Sequence, residues 1–187
     1  SSNVRNIIID AQLMLGKQYF DEGDYQNALT YFLEAQVPEE EAGNPRFGNR
    51  DIQVNYYIGL AYENLGNQSQ ANKFFQLAAE KESRREASIM TYYKGLSYAK
   101  LGDHRKAKEI FESMITFAEE QLREDGTPDS EAGVIFGARE AENVRKSRLF
   151  SIRGLGYKGL GQNDLAEQDL ERAVELSYSN LWAKAES

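Results

Sequence analysis

The chain has 187 residues, 28% of them charged, a formal net charge of -8 and no cysteine, and its mean hydropathy is -0.65. That length suffices for one well-buried domain, and there is no apolar run of the roughly 18 residues needed to cross a membrane. The acidic balance argues against a general binder of nucleic-acid phosphates, which concentrates Lys and Arg for counterion release, and the missing thiols exclude disulfides and thiolate metal sites.

Asn3 can cap a helix over about residues 4–22, in which Ile7, Ile8, Ala11, Leu15 and Tyr19 recur at three and four residues. Gly23-Asp24 then marks a tight turn into a second helix over about residues 25–36. The stretch VPEEEAGNPRFGNRD, residues 37–51, carries two of the three prolines and an acidic triplet, and reads as a loop. A second helix pair over about residues 52–80 is the most regular in its periodicity. A third begins near residue 88, and its apolar face continues through Phe117, Ala118 and Leu122 to about Arg123. EDGTPDSEAG, residues 124–133, interrupts the periodicity, and Val134, Ile135 and Phe136 form an apolar patch that needs a surface to dock on. A helical extension from about residue 138 leads into a fourth pair ending near Ser177. The last ten residues hold the sole tryptophan, Trp182, and read as a cap over the final apolar face. The chain starts Ser1-Ser2-Asn3 without Met, as an excised fragment would.

Four of these stretches share one spacing. Gly16, Tyr19, Gly23, Ala28 and Phe32 recur as Gly59, Tyr62, Gly66, Ala71 and Phe75, as Gly95, Tyr98, Gly102, Ala107 and Phe111, and as Gly154, Tyr157, Gly161, Ala166 and Leu170. The second Gly of each set suits the left-handed end of a helix, and Asp24, Asn67 or Asp103 behind it can cap the next helix, whereas Gln162 in the fourth set is a poorer cap. The first Gly falls inside a helix, where it costs about 1 kcal/mol relative to Ala, so it implies close approach of a neighbouring helix. The small Ala of the second helix is the expected surface to meet it, with the Tyr filling space beside the contact.

This pattern resembles the tetratricopeptide repeat, whose signature has Leu-Gly, Tyr, Gly, Ala and an aromatic at these offsets. Leu15-Gly16 and Ile58-Gly59 keep the apolar-Gly pair, whereas Lys94-Gly95 and Arg153-Gly154 depart from it. The resemblance implies an all-α, right-handed α-α superhelix of about four helical hairpins, forming a single solenoid domain over residues 1–187. Its units are expected at about 9–36, 52–80, 88–115 and 147–177, with insertions at about 37–51 and 116–146 and a cap at 178–187. A narrower likeness, carried by NPRFGNRDIQVNYYIGLAYENLG, YYKGLSYAKLGDHRKAKEIFESMI and RGLGYKGLG, is to the C-terminal repeat region of large bacterial proteins common in gut Bacteroidetes, with β-rich, carbohydrate-associated domains upstream.

In this family the first helices of successive units line a concave face. The positions three before and one and four after the first Gly point into it: Leu13, Lys17 and Phe20; Tyr56, Leu60 and Glu63; Tyr92, Leu96 and Ala99; Ser151, Leu155 and Lys158. Gln53 lies close to Tyr56 on the same helix. The resemblance therefore implies a non-catalytic scaffold that binds a protein or peptide through a groove built from Leu13, Lys17, Gln53, Tyr56, Leu60, Glu63, Tyr92, Leu96 and Leu155, with aromatic and Leu anchors and polar groups setting register. A clamp for a chaperone C-terminal carboxylate is not expected, because Leu13 stands where its Lys belongs. The partner is a protein, a peptide or an upstream domain of the same polypeptide, and an uncapped terminal unit also admits a homo-oligomer. The alternative reading is an accessory module of a carbohydrate-active protein, packing on its catalytic domain or contacting glycan.

Catalytic chemistry finds little material. His104 is the sole histidine and falls in a turn, so zinc, triad and thiol constellations lack their parts, and no catalytic residue, cofactor or metal is expected. The carboxylate runs at Glu39-Glu40-Glu41 and Glu119-Glu120 suit solvated loops and helix ends. Gly154-Leu155-Gly156 and Gly159-Leu160-Gly161 lie within a repeat that already accounts for Gly154 and Gly161, not in a phosphate-cradling loop. Nucleic acid and membrane are not expected as partners, and the composition fits a bacterial cytoplasm or periplasm alike.

Overall fold

A computed structural model describes residues 2–38, 40–41, 50–82, 86–124, 136–177 and 186–187. The expected cap residue Trp182 and the apolar Val134 and Ile135 lie outside the described residues. Eight helices follow one another among those residues: α1 (Ser2–Asp21), α2 (Tyr25–Glu34), α3 (Arg50–Asn64), α4 (Gln68–Glu80), α5 (Ile89–Lys100), α6 (His104–Glu124), α7 (Phe136–Gly159) and α8 (Asn163–Leu176). No strand occurs among the described residues, so the fold class is all-α. The long apolar face that predicts an extended sixth helix is observed to Glu124, and α7 carries the expected upstream extension.

The helix boundaries follow from local chemistry. Gly23, Gly66, Gly102 and Gly161 all have φ between 76° and 86°, the left-handed geometry that ends a helix at little cost in a residue without Cβ. Asp24 accepts a hydrogen bond from the Asn27 backbone N–H at 3.2 Å, and Asn67 accepts one from Gln70 at 3.1 Å. Gln162 makes no such side-chain bond at the start of α8, as its longer side chain predicts. Asn67→Ala is accordingly expected to cost about 1 kcal/mol of stability in urea denaturation, while Gln162→Ala should leave the transition within about 0.5 kcal/mol.

The chain forms two compact units, one of Ser1–Ser83 with Tyr93–His104, the other of Arg84–Tyr92 with Arg105–Ser187. In the first, α1 packs on α2, α2 on α3, and α3 on α4. The glycine contacts differ from the sequence expectation. A Cβ at Gly16 would lie 2.4 Å from the Phe32 ring, and one at Gly59 would lie 2.6 Å from the Phe75 ring. The glycine thus makes room for the aromatic sixteen residues on; Ala28 and Ala71 are buried nearby but are not what it meets first. The repeat tyrosines also have a definite partner: Tyr19 stacks on Tyr31 at 5.4 Å and Tyr62 on Phe74 at 5.7 Å. Behind them, Phe32, Tyr56, Tyr57, Phe75 and Tyr93 form a continuous aromatic cluster with centroid separations of 5.2 to 5.9 Å. Ion pairs from Arg50 to Asp10 and from Lys81 to Asp51 tie the start of α3 to α1 and to the end of α4.

In the second unit α7 packs on α8, and a Cβ at Gly154 would meet Leu170 Cγ at 3.0 Å. The two remaining glycines of α7 serve a different neighbour. A Cβ at Gly156 would lie 2.9 Å from the Phe111 backbone carbonyl and from Ile115 Cγ1, and one at Gly159 would lie 2.4 Å from the Phe111 ring. Both therefore let α6 approach α7 more closely than any side chain would allow.

Candidate functional site

The groove positions divide by burial. Leu13, Gln53 and Leu155 are fully buried, and Tyr56 and Tyr92 retain 8% and 4% of their surface. Lys17, Leu60, Glu63 and Leu96 are partly exposed. On α3 the face opens along its length, from closed Gln53 and Tyr56 to accessible Leu60, Glu63 and Asn64. Tyr56 belongs to the aromatic cluster of the first unit, with its ring 5.7 Å from that of Tyr93, and Tyr92 packs 6.0 Å from Phe111 in the second unit. At the open end Lys100 of α5 donates to Glu63 at 2.6 Å, joining α3 and α5 beside Leu60 and Leu96.

Gln53 is unusual within this face. Its amide has no exposed surface, and neither Oε1 nor Nε2 has a hydrogen-bond partner. A buried amide in that state carries its full desolvation cost, about 1–3 kcal/mol, so it is a local sacrifice of stability on the same helix face as Leu60.

The two departures from the apolar-Gly pair have structural work. Lys94 donates to the Lys81 carbonyl at 2.7 Å, just past the end of α4, and its burial lowers the ammonium pKa below its ordinary value. Arg153 reaches from α7 to α8, where Nε and a terminal nitrogen each donate to an Asp169 oxygen at 2.8 Å. That bidentate bond to Asp169 raises the Arg153 pKa against the opposing effect of burial. The guanidinium also lies over the Phe150 and Tyr157 rings, 5.4 and 6.0 Å from their centroids. Burial raises the Tyr157 pKa, and its hydroxyl bonds to Glu119 of α6.

Asp169 occupies the position held by Tyr31 and Phe74 in the first two hairpins, so the ion pair replaces the stacking partner of the repeat tyrosine. Sequence reasoning noted Arg153 as a departure but not its mate; the joint change at both positions was the available signal. Ser147 adds a second polar contact across this hairpin, donating to the Ala173 carbonyl at 2.6 Å.

Among the described residues no group of three or more His, Cys, Asp or Glu side chains could hold a metal ion. None of the described helices is long and apolar enough to cross a membrane. What this arrangement can offer chemically is a surface of anchors and polar contacts.

Comparison with known proteins places these observations. Two solved structures, MamA 41-end from Desulfovibrio magneticus RS-1 and the MamA RS-1 ArsTM double mutant, align over 94% of this chain and 79% of theirs, at 18% identity and a TM-score of 0.34. No curated protein matches the chain. Family profiles described as Tetratricopeptide repeat match residues 10–36, 53–82 and 91–116, and again residues 148–180. Those segments coincide with the four glycine-punctuated helix pairs and together cover more than half of the sequence. The chain belongs to the tetratricopeptide repeat family, whose members generally serve as protein-interaction scaffolds.

Proposed function

We propose that the chain is a non-catalytic scaffold that binds a protein or peptide on the α3 and α5 face. The observation that carries this reading is the equivalent placement of Leu60 and Leu96, both partly exposed, with the Glu63–Lys100 ion pair between their helices. Tyr56 supplies a rigid buried floor beneath this end of the face, and the uncompensated Gln53 amide is a polar group that a stability argument alone does not explain. Within the same compact unit, partly exposed Lys17 of α1 holds the position equivalent to Leu60 and Leu96 and adds a cationic contact in this proposal, whereas Leu13, Tyr92 and Leu155 are buried and are not part of the contact surface. Apolar side chains of a partner would pack on the two leucines while Glu63 and Lys100 set register.

The test uses peptides selected from a display library against the wild-type chain. Leu60→Glu and Leu96→Glu are each expected to weaken their binding at least about tenfold, with the helical circular dichroism unchanged, because both side chains already touch solvent. Unaltered affinity in both variants would remove the contact from this face.

A further inference from the structure

α1 is apolar on two sides. Ile9 and Leu13 are buried on the side where it packs on α2. Roughly half a turn round the helix, Val4, Ile7, Ile8 and Leu15 retain 55%, 67%, 50% and 44% of their surface, and Ala11 among them is also exposed. These positions form one uncharged stripe over about three turns, the pattern a helix turns toward whatever covers it.

The same compact unit shows what covers such a stripe. α3 repeats α1 at an offset of 43 residues, as Gly59 repeats Gly16, so Ala11 and Leu15 correspond to Val54 and Ile58. Those two are 1% and 0% exposed on α3, which packs on both α2 and α4. Beside them Tyr57 meets the Phe32 ring of α2 at 5.2 Å between centroids. Tyr57 corresponds to Met14, which is partly exposed at the edge of the α1 stripe. α1 thus repeats the surface on which α3 receives α2, and keeps it in contact with solvent.

Charge and size select among occupants. Among the described residues the exposed side of α8 carries Glu167, Glu171, Arg172 and Glu175, so the last hairpin of a second copy is a poor match for an uncharged stripe. A symmetric pair of α1 helices would bring only this stripe from each copy, against the roughly 20–30 residues a side of a stable dimer. A lipid surface favours helices rich in Lys and Arg on the polar face, whereas the cations of α1 are Arg5 and Lys17, and Arg5 is ion-paired with Glu41.

We propose that the outer face of α1 docks an amphipathic helix of a partner protein that has the chemistry of α2. An aromatic ring at the place of Phe32 packs on Met14, and its apolar neighbours cover Ile8, Ala11 and Leu15. This surface lies on a different side of α1 from Lys17 and does not depend on the peptide-binding reading of α3 and α5.

The test uses the full chain and a fluorescein-labelled peptide of residues 22–38. Gln26→Lys and Thr30→Asp, both at exposed positions, are joined as a lactam so that the short peptide stays helical. Fluorescence anisotropy should show saturable binding to the wild-type chain. Ile8→Glu and Leu15→Glu are each expected to weaken it at least about tenfold with the helical circular dichroism unchanged, because both side chains already touch solvent. Phe32→Ala in the peptide should weaken it to a similar extent. Absence of binding to wild type, or binding that survives both α1 substitutions, overturns the proposal. Sedimentation equilibrium of the chain alone and flotation with phosphatidylcholine–phosphatidylglycerol vesicles address the other occupants. Self-association or vesicle binding that Ile8→Glu abolishes would put a second copy or a lipid surface in place of the partner helix, and also overturns it. Leu60→Glu and Leu96→Glu should leave binding of this peptide unchanged, so the α3 and α5 reading stands or fails on its own variants.

Discussion

Truncating Phe75 to alanine is expected to destabilise the protein by about 3–5 kcal/mol, a shift on the order of 10 °C in the thermal midpoint. The ring is fully buried and its edge lies 2.6 Å from where a Gly59 Cβ would be. Removing a large core side chain costs its transfer energy plus the energy of whatever cavity remains, and the second term depends on how far the surroundings can collapse. Here the facing residue is a glycine in mid-helix, which has no side chain to move into the space. Tyr56, 5.9 Å away between centroids, is itself pinned by Tyr57 and Tyr93. Phe75→Leu should cost distinctly less, since Leu170 fills the same position beside Gly154 in the last hairpin. Chemical denaturation of the three proteins checks this; a Phe75→Ala loss below about 1 kcal/mol would mean that the glycine–ring contact is not what holds α3 to α4.

The second large effect belongs to Asp169. Its carboxylate is 8% exposed and receives both bonds from Arg153, so Asp169→Ala leaves a guanidinium at 23% exposure without its counter-charge. The expected loss is about 3 kcal/mol, the lower end for breaking a buried pair, because Arg153 can still turn partly toward water. Replacing both members is a different experiment. Arg153→Ile with Asp169→Phe imports the pair that stands at Ile58 and Phe74, where Phe74 stacks on Tyr62 at 5.7 Å. Desolvation no longer has to be offset, and the new ring has Tyr157 to stack on, so the double variant should lie within about 1 kcal/mol of wild type. Denaturation curves for the single and double variants form the comparison; a double variant as unstable as Asp169→Ala would show that the site demands charge.

Most of the fold was legible in the sequence because its cause is local. Left-handed Gly23 and Gly66, the caps at Asp24 and Asn67, and the run of apolar residues that carries α6 to Glu124 each depend on a few neighbouring residues. The contact made by the inner glycines was less so. Spacing shows that Gly16 and Phe32 recur together, but not that they touch, and the alanines four residues earlier were an equally regular choice. Gly156 and Gly159 were harder still, since their neighbour α6 lies across a long connection of no fixed period. For the candidate site, repeat position identifies which residues share a face, while burial is decided by whatever packs over that face. Nothing in the spacing distinguishes closed Leu155 from partly exposed Leu60.

The glycine notches of α7 also bear on how this chain can be altered by a protein engineer. Phe111 and Ile115 set the register of α6 on α7 by fitting against Gly156 and Gly159, so alignment does not depend on the length of the segment between Glu124 and Phe136. Lengthening a connection costs only about 0.6 kcal/mol per doubling when its ends are held by packing. Residues added between α6 and α7 should therefore leave the fit of Phe111 and Ile115 against the two glycines in place.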